Sequence, residues 1–332
     1  MAKLDYKPAL ELLEGARSAV VCGHVNPDGD SLGSVLALTA ALRGQGLEVT
    51  PLLATRECPR LYDFLEGYDT LVPACDYHGK PDVFISVDVP LIARTGDAVA
   101  VFERAGKSIA IDHHPGRAEF ADASFVDDTA AAAGMLVWDF IEQAGWPITP
   151  AIATCCYTAL VTDTGRFQYQ KVGGRVFRAA AAMAEAGAVP ADIATRVYQR
   201  RSIAALKLEA LAVERMEFPC DGRVVVSWVR EQDFAGLHAV KEDGESLIDR
   251  IRELDGVEVA VMLREQGAVI RGSIRSKTAF DVSAIARQMN GGGHAAAAGF
   301  TLKCGLDQAR KTVVGLLEAA FAQEAAQGSP VR

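Results

Sequence analysis

The sequence predicts an α/β protein: an N-terminal doubly wound, mostly parallel sheet followed by a smaller C-terminal domain with a mixed sheet. Three observations lead to this. Up to about residue 188, short apolar runs alternate with helical patterns, as they do when helices cover both faces of a parallel sheet. Beyond about residue 219 the pattern changes to longer strand-like runs with fewer helices between them. A chain of 332 residues, 50% hydrophobic and 23% charged, is too long for one ordinary domain and has apolar material for two cores.

In order along the chain, Ser18–Gly23 reads as a short apolar strand, followed by an Asn-Pro-Asp-Gly turn and a helix from about Ser31 to Leu42. Leu47–Ala54, Asp82–Val87 and Ser108–Ile111 read as further strands, with a helix near Ala98–Ala105. Helices are expected around Ala130–Ala144 and Pro150–Val161, completing a first domain over residues 1–188. The charged stretch from Pro190 to Phe218 reads as a helical connector, residues 189–218. In the second domain, residues 219–326, Val224–Val229, Val257–Arg264 and Val269–Arg275 are strand-like. Ser246–Leu254, Val282–Met289 and Leu306–Gln323 are helix-like, and residues 327–332 read as a frayed tail.

Composition excludes several classes. Apolar runs such as Ala130–Val137 are too short to span a bilayer, and the charged N-terminus lacks the apolar core of a signal peptide. Seven scattered cysteines without a C-x-x-C pair argue against a disulfide framework or zinc knuckle and for a reducing cytoplasm. The net charge of −9 is unevenly placed: residues 1–188 carry 15 Lys and Arg against 24 Asp and Glu, and residues 189–332 carry 19 of each. An acidic half is most often a solvated surface, but it also suits a site that holds divalent cations.

Four segments carry the chemistry. His24-Val25-Asn26-Pro27-Asp28-Gly29-Asp30-Ser31 follows the first strand. By composition it is an ordinary turn, and it lacks the later Glu of an EF-hand, but it places an imidazole beside two carboxylates. Asp88 closes an apolar strand, where a carboxylate is costly to bury unless it is paired or bound to metal. Asp112-His113-His114-Pro115 ends another strand; one imidazole can bind metal while the other faces substrate. Asp163, in Thr162-Asp163-Thr164-Gly165, breaks an apolar helix. Open parallel sheets bind ligands beyond the carboxyl ends of their strands, near a topological switch point. Together Asp28, Asp30, Asp88, Asp163, His24 and His113 suffice for two ions sharing one carboxylate. Carboxylate and imidazole without thiolate suit Mn²⁺, with Mg²⁺ or Co²⁺ as substitutes.

The order H-x-N-P-D-G-D-S, V-D, D-H-H-P, T-D-T-G resembles the four motifs of the DHH phosphoesterase superfamily. Gly291-Gly292-Gly293-His294 resembles the glycine-rich motif of the DHHA1 domain, and Arg275-Ser276 the Arg-Ser that accompanies it. Length and domain pairing are similar to the NrnA type, the bifunctional oligoribonucleases and 3′-phosphoadenosine 5′-phosphate phosphatases. The resemblance implies that His24, Asp28 and Asp88 hold one ion and Asp30, Asp88, His113 and Asp163 the other. It further implies that His114 faces the scissile phosphate with support from Asp112. Arg275, Ser276, Gly292, Gly293 and His294 would take phosphate or the terminal nucleotide, with the active site in the cleft between the domains.

The implied substrates are short RNA oligonucleotides and nucleotide phosphates, hydrolysed by a water activated between two metal ions. No membrane is involved, and the reading allows a weakly held homodimer. Alternatives remain: a phosphodiesterase for cyclic or linear dinucleotides, a RecJ-like single-strand exonuclease, an inorganic pyrophosphatase, or a nucleotide-binding regulator without turnover. The glycine run argues against the pyrophosphatase, and the chain length leaves no room for the added OB-fold of a RecJ-type enzyme.

Overall fold

A computed structural model describes residues 4–116 and 118–326; the tail expected to fray lies outside the described residues. The chain divides into two compact units at Arg200/Arg201.

The first unit runs α1 (Lys7–Leu13), β1 (Ser18–Cys22), α2 (Gly29–Gly44), β2 (Glu48–Leu53), β3 (Val72–Pro73), β4 (Val83–Val87), α3 (Val99–Phe102), β5 (Lys107–Asp112), β6 (Ala123–Val126), α4 (Ala133–Gln143), α5 (Pro150–Asp163), α6 (Gly174–Glu185) and α7 (Pro190–Tyr198). The six strands pair in the order β3-β2-β1-β4-β5-β6, and every pairing is parallel. The chain winds outward from β1 in one direction, then returns to β4 and winds in the other, so β1/β4 is the switch point. β4 is buried along its whole length, as a central strand covered on both faces must be.

The helix α2 is buried almost all round because α4 and α5 pack against it. Glycines let α2 and α5 approach closely. A Cβ on Gly33 would lie 2.5 Å from the carbonyl oxygen of Cys155, and one on Gly29 would lie 2.5 Å from Thr162 Oγ1. This contact brings the C-terminal end of α5 to the N-terminal end of α2.

The strands and helices expected in this unit are present, with α1, β3, β6 and α6 in addition. β3 and β6 are only two and four residues long, too short to leave a periodic signal. The 190–218 stretch is two helices broken at Gln199–Ser202, not one. Ile193 and Val197 of α7 belong to the first unit's core, and Leu208 and Ala212 of the next helix belong to the second unit.

The second unit contains α8 (Ile203–Glu214), β7 (Val224–Val229), α9 (Glu231–Leu237), α10 (Leu247–Arg252), β8 (Val259–Gln266), β9 (Val269–Ser276), α11 (Val282–Arg287), β10 (Gly292–His294), β11 (Ala297–Leu302) and α12 (Leu306–Ala326). Ser202 caps α8, its Oγ accepting from Ala205 N at 2.9 Å. The sheet order is β10-β11-β9-β8-β7, with β7 and β8 parallel and the remaining pairs antiparallel. One face packs on α11 and α12. On the other, α8 and α10 bury Val225, Val229, Ala260 and Met262 of β7 and β8, while the same face of β11 and β10 stays exposed at Gly299, Thr301, Gly292 and His294. No helix is long and apolar enough to cross a membrane among the described residues.

Candidate metal centre

Each expected ligand sits at an element end, beside the β1/β4 switch point. His24 lies two residues past β1, Asp88 directly follows β4, and His113 directly follows β5. Asp28 caps α2 through its side chain, Asp30 lies in the first turn of that helix, and Asp163 ends α5. Strand ends thus supply three of these groups and helix ends the others.

The six groups converge. His24 Nε2 is 3.2 Å from Asp88 Oδ2 and 3.8 Å from Asp28 Oδ2. His113 Nε2 is 3.3 Å from Asp88 Oδ1, 3.5 Å from Asp163 Oδ2 and 3.6 Å from Asp30 Oδ2. Three groups capable of gripping a cation result: His24, Asp28 and Asp88; Asp30, His113 and Asp163; and Asp88, His113 and His114. The two oxygens of Asp88 face different imidazoles.

The backbone holds these side chains in place. His24 Nδ1 lies 2.8 Å from the carbonyl oxygen of Val25, and His113 Nδ1 lies 3.4 Å from that of Ala130. A carbonyl can only accept, so each Nδ1 carries the proton and each Nε2 lone pair points at carboxylates. Lone pairs facing carboxylate oxygens repel unless a proton or a cation lies between them. This is how a metal-binding imidazole is usually oriented.

Two of the carboxylates, Asp28 and Asp30, are held by backbone amides. Asp28 Oδ1 accepts from Asp30 N and Ser31 N, both at 3.0 Å, leaving Oδ2 toward His24. The turn therefore uses one oxygen of Asp28 and leaves the other on the side of the His24 imidazole. Asp30 accepts from Ala133 N at 2.7 Å and Gly134 N at 2.9 Å, the first amides of α4, and from Ser34 Oγ at 3.2 Å. Asp88 is only 2% exposed, and its Oδ1 is buried without a hydrogen-bond partner. Its backbone sits at φ 61°, a left-handed conformation that Asp tolerates better than most residues and that turns the carboxylate off the strand axis.

Electrostatics follow from this crowding. Burial alone would lower the histidines, but Asp88, reinforced by Asp28, raises His24 to about 9; Asp88 and Asp30, with Asp163, raise His113 to about 10. Burial would raise Asp88, yet the imidazoles of His113 and His24 hold it well below the usual carboxylate range. Asp163 is raised to about 6, by burial and by the neighbouring charges of Asp28 and Asp88 against the pull of His113. Burial first, then the Asp88 charge, pushes Asp30 up as well. Protons on the imidazoles thus stand in for positive charge that the carboxylates require. The orphaned Asp88 oxygen and the oxygen and imidazole donors fit divalent cations.

Asp112 does not join the cluster of ligands. Its Oδ1 accepts from His113 N at 2.9 Å and pairs with His114 Nδ1 at 2.8 Å, which fixes the His114 ring and turns its Nε2 edge away from Asp112. Several contributors left no trace in the pattern of side chains. They are the Val25 and Ala130 carbonyls, the Ala133 and Gly134 amides, and Ser31 Oγ, which accepts from His24 N at 3.2 Å. Lys171 is another, its Nζ donating to the Ala130 carbonyl at 3.2 Å. Only Ser31, inside the first motif, had a sequence signal.

In the second unit the end of the glycine run, Gly292–His294, is strand β10 in a hairpin with β11. Gly293 adopts φ +141°, and a Cβ there would lie 2.5 Å from the Ala297 carbonyl, so backbone packing demands it; a Cβ on Gly292 would meet nothing within 4 Å. His294 pairs across Ala297 with Arg275, so the three share one face of the sheet. Ser276, expected with them, does not join them. Alternation along β9 puts it on the opposite face, buried, with its hydroxyl donating to the Thr278 carbonyl at 3.0 Å.

What the first unit presents is a cluster of carboxylates and imidazoles that could hold cations, at the switch point of a doubly wound α/β sheet. The DHH family N-terminal domain matches residues 18–160, and the DHHA1 domain matches residues 221–322. A bifunctional oligoribonuclease and PAP phosphatase NrnA from Thermus thermophilus is 30% identical, over 92% of this chain and 90% of its own. The NrnA of Bacillus subtilis is 24% identical over 84% of this chain and 87% of its own. A crystal structure of an exopolyphosphatase-related protein from Bacteroides fragilis superposes with a TM-score of 0.90 at 25% identity, covering 94% of this chain and 95% of that one. The chain belongs to the DHH family, with a DHHA1 domain as its second part.

Proposed function

We propose that this protein is a metal-dependent phosphoesterase that hydrolyses short oligoribonucleotides to nucleoside monophosphates and 3′-phosphoadenosine 5′-phosphate to AMP. The observation that carries the reading is Asp88, whose two oxygens each face a different imidazole while one of them has no hydrogen bond. Support for the substrate class comes from the Thermus relative, which is a bifunctional oligoribonuclease and PAP phosphatase.

In this reading His24, Asp28 and Asp88 hold one divalent ion, and Asp30, Asp88, His113 and Asp163 hold a second. Oxygen and imidazole donors favour Mn²⁺, with Mg²⁺ or Co²⁺ as substitutes. When bound, two such ions supply charge for the phosphate oxygens and lower the pKa of the attacking water. The chain's own groups do the rest. Val25 and Ala130 hold the imidazoles in the tautomer that offers Nε2. His114, steadied by Asp112 through Nδ1, presents Nε2 to a phosphate oxygen and stabilises its growing charge. Arg275 and His294 of the second unit take the terminal phosphate or nucleotide, with the open backbone of Gly292 beside them. Seven cysteines, none in a disulfide, suit a cytoplasmic enzyme.

The test is a Mn²⁺-dependent panel of inorganic pyrophosphate, 3′-phosphoadenosine 5′-phosphate, a 5′-phosphorylated dinucleotide and a 20-mer. Turnover of the second and third without the first is the expected result. Hydrolysis of pyrophosphate alone, preference for the 20-mer, or indifference to added metal would overturn it.

A further inference from the structure

The face of the second sheet that carries Arg275 and His294 continues beyond them. Strand pairing sets it out in rows. Ala260, Arg275, Ala297 and His294 lie opposite one another in the first, Met262, Ser273, Gly299 and Gly292 in the second, and Arg264, Arg271 and Thr301 in the third. Arg271, Ser273 and Arg275 are half-buried, whereas Gly299, Thr301, Gly292 and His294 are exposed. A Cβ on Gly292 would meet nothing, and one on Gly299 would approach only the Gly272 carbonyl, at 3.5 Å. The floor is open on this side.

Three guanidinium groups therefore gather at one shallow surface. Arg264 reaches across to donate from Nη2 to Ser273 Oγ at 3.1 Å, between Arg271 and Arg275 along the neighbouring strand, and its Nε is buried without a partner. Burial first, then the positive charge of Arg271 and, less strongly, that of Arg275, make it harder for Arg264 to stay protonated, so the three are close enough to repel. Among the described residues neither Arg264 nor Arg271 has a carboxylate within ion-pair distance, and Glu245 attracts both without pairing with either. Elsewhere in this unit arginines are neutralised: Arg215 pairs with Asp233, Arg223 with Glu258, and Arg310 with Glu217. Two like charges, Arg264 and Arg271, held together without an ion-pair partner among the described residues mark a place for an anion, and guanidinium groups match phosphate oxygens.

Spacing decides which phosphate. Arg271 and Arg275 are four residues apart on one strand, about 13 Å at the usual rise. That exceeds the gap between the two phosphates of a single nucleotide and suits a chain of two or three nucleotides.

We propose that Arg264 and Arg271 form a second phosphate subsite on this face, contacting a backbone phosphate of an oligonucleotide whose terminal nucleotide lies at Arg275 and His294. The subsite favours oligonucleotides over nucleotide bisphosphates, and it deepens, and rests on, the reading of the chain as a hydrolase of short oligonucleotides.

The experiment uses the full chain and its Arg271→Ala and Arg271→Lys variants. Among the described residues the Arg271 side chain makes no hydrogen bond, and Arg271→Lys keeps the charge while losing the fork. Two measurements are made: KM and kcat on 3′-phosphoadenosine 5′-phosphate and on 5′-phosphorylated di-, tri- and pentanucleotides, and direct binding of a phosphorothioate pentanucleotide that resists hydrolysis. For Arg271→Ala, KM on the tri- and pentanucleotide should rise about tenfold, the loss of one charge-assisted contact. Its kcat, and its KM on the bisphosphate, should stay within about twofold of the parent. The slope of log affinity for the pentanucleotide against log salt should fall by about 0.7, as for one phosphate contact to a single strand. Arg271→Lys should recover part of both.

Equal KM changes on every substrate, or an unchanged salt slope, overturn the subsite while leaving the hydrolase reading intact. If the parent binds the pentanucleotide with the predicted dependence on Arg271 but hydrolyses none of the panel, the subsite stands and the hydrolase reading falls. If the parent does not bind the pentanucleotide, both fall.

Discussion

The two units solve opposite electrostatic problems. In the first, carboxylates crowd into a buried corner, where backbone amides anchor Asp28 through one oxygen and Asp30 through both. In the second, guanidinium groups spread over a shallow, half-open sheet face, and among the described residues the Arg264 guanidinium hydrogen-bonds only to Ser273 and the Gly244 carbonyl. Burial makes the first site demanding, because uncompensated charge in low dielectric costs several kcal/mol and must be answered by protons or cations. Exposure makes the second forgiving, since water already solvates much of the charge. A buried, preorganised centre suits bond breaking, and an open cationic face suits capture.

The contrast breaks first at Asp88. Asp88→Asn should lower kcat by about 10³-fold, the upper end for losing one electrostatic group at a reacting centre, and reduce bound Mn²⁺ measured by elemental analysis. Arg275→Ala should instead raise KM about tenfold with metal content unchanged, as expected for a lost charged hydrogen bond. Turnover by Asp88→Asn with both ions bound would remove the distinction between the two sites.

Metal affinity sharpens it. Without a cation His24 keeps its proton up to about pH 9 and His113 up to about pH 10. A metal ion needs the same Nε2 atoms, so it must displace those protons at neutral pH, and rising pH removes the competition. Apparent Mn²⁺ affinity should increase from about pH 6 to about pH 8.5, by up to about tenfold per pH unit for each proton displaced. Calorimetry in buffers of different ionisation enthalpy should register proton release. An affinity flat across that range would mean that the imidazoles are not ligands.

The smallest effects separate tight backbone packing from open space. Gly33→Ala drives a methyl group against the Cys155 carbonyl, prying α2 from α5, and should cost about 1–3 kcal/mol in chemical denaturation. Gly292→Ala meets nothing and should change stability by no more than about 0.5 kcal/mol. Equal losses from the two would contradict the difference in packing between the sites.

Much of the first unit was legible in sequence because its signals are local. Apolar strands such as Val83–Val87 and the polar residues that close them are contiguous, and a parallel sheet requires its ligands at those ends. The His24–Ser31 loop and Asp112–His114 could be placed before any coordinates. The second unit was less legible. β10 and β11 are built on Gly and Ala, which carry no strand preference, and their pairing depends on close backbone approach at Gly291 and Gly293. The Arg-Ser motif groups Ser276 with Arg275, yet adjacency in a strand means opposite faces. The role of the 190–218 stretch also depended on which core each helix buries, a matter of packing and not of helical propensity.

The sequence by itself determined which side chains can hold cations and on which element ends they fall, since motif order and strand periodicity are properties of neighbouring residues. Only the tertiary structure decided that the two oxygens of Asp88 face separate imidazoles, that carbonyls of Val25 and Ala130 set the tautomers, and that Arg264 and Arg271 share a face with Arg275. The physical reason is that hydrogen bonds from backbone groups and contacts across strands join residues far apart in the chain. No local pattern records them.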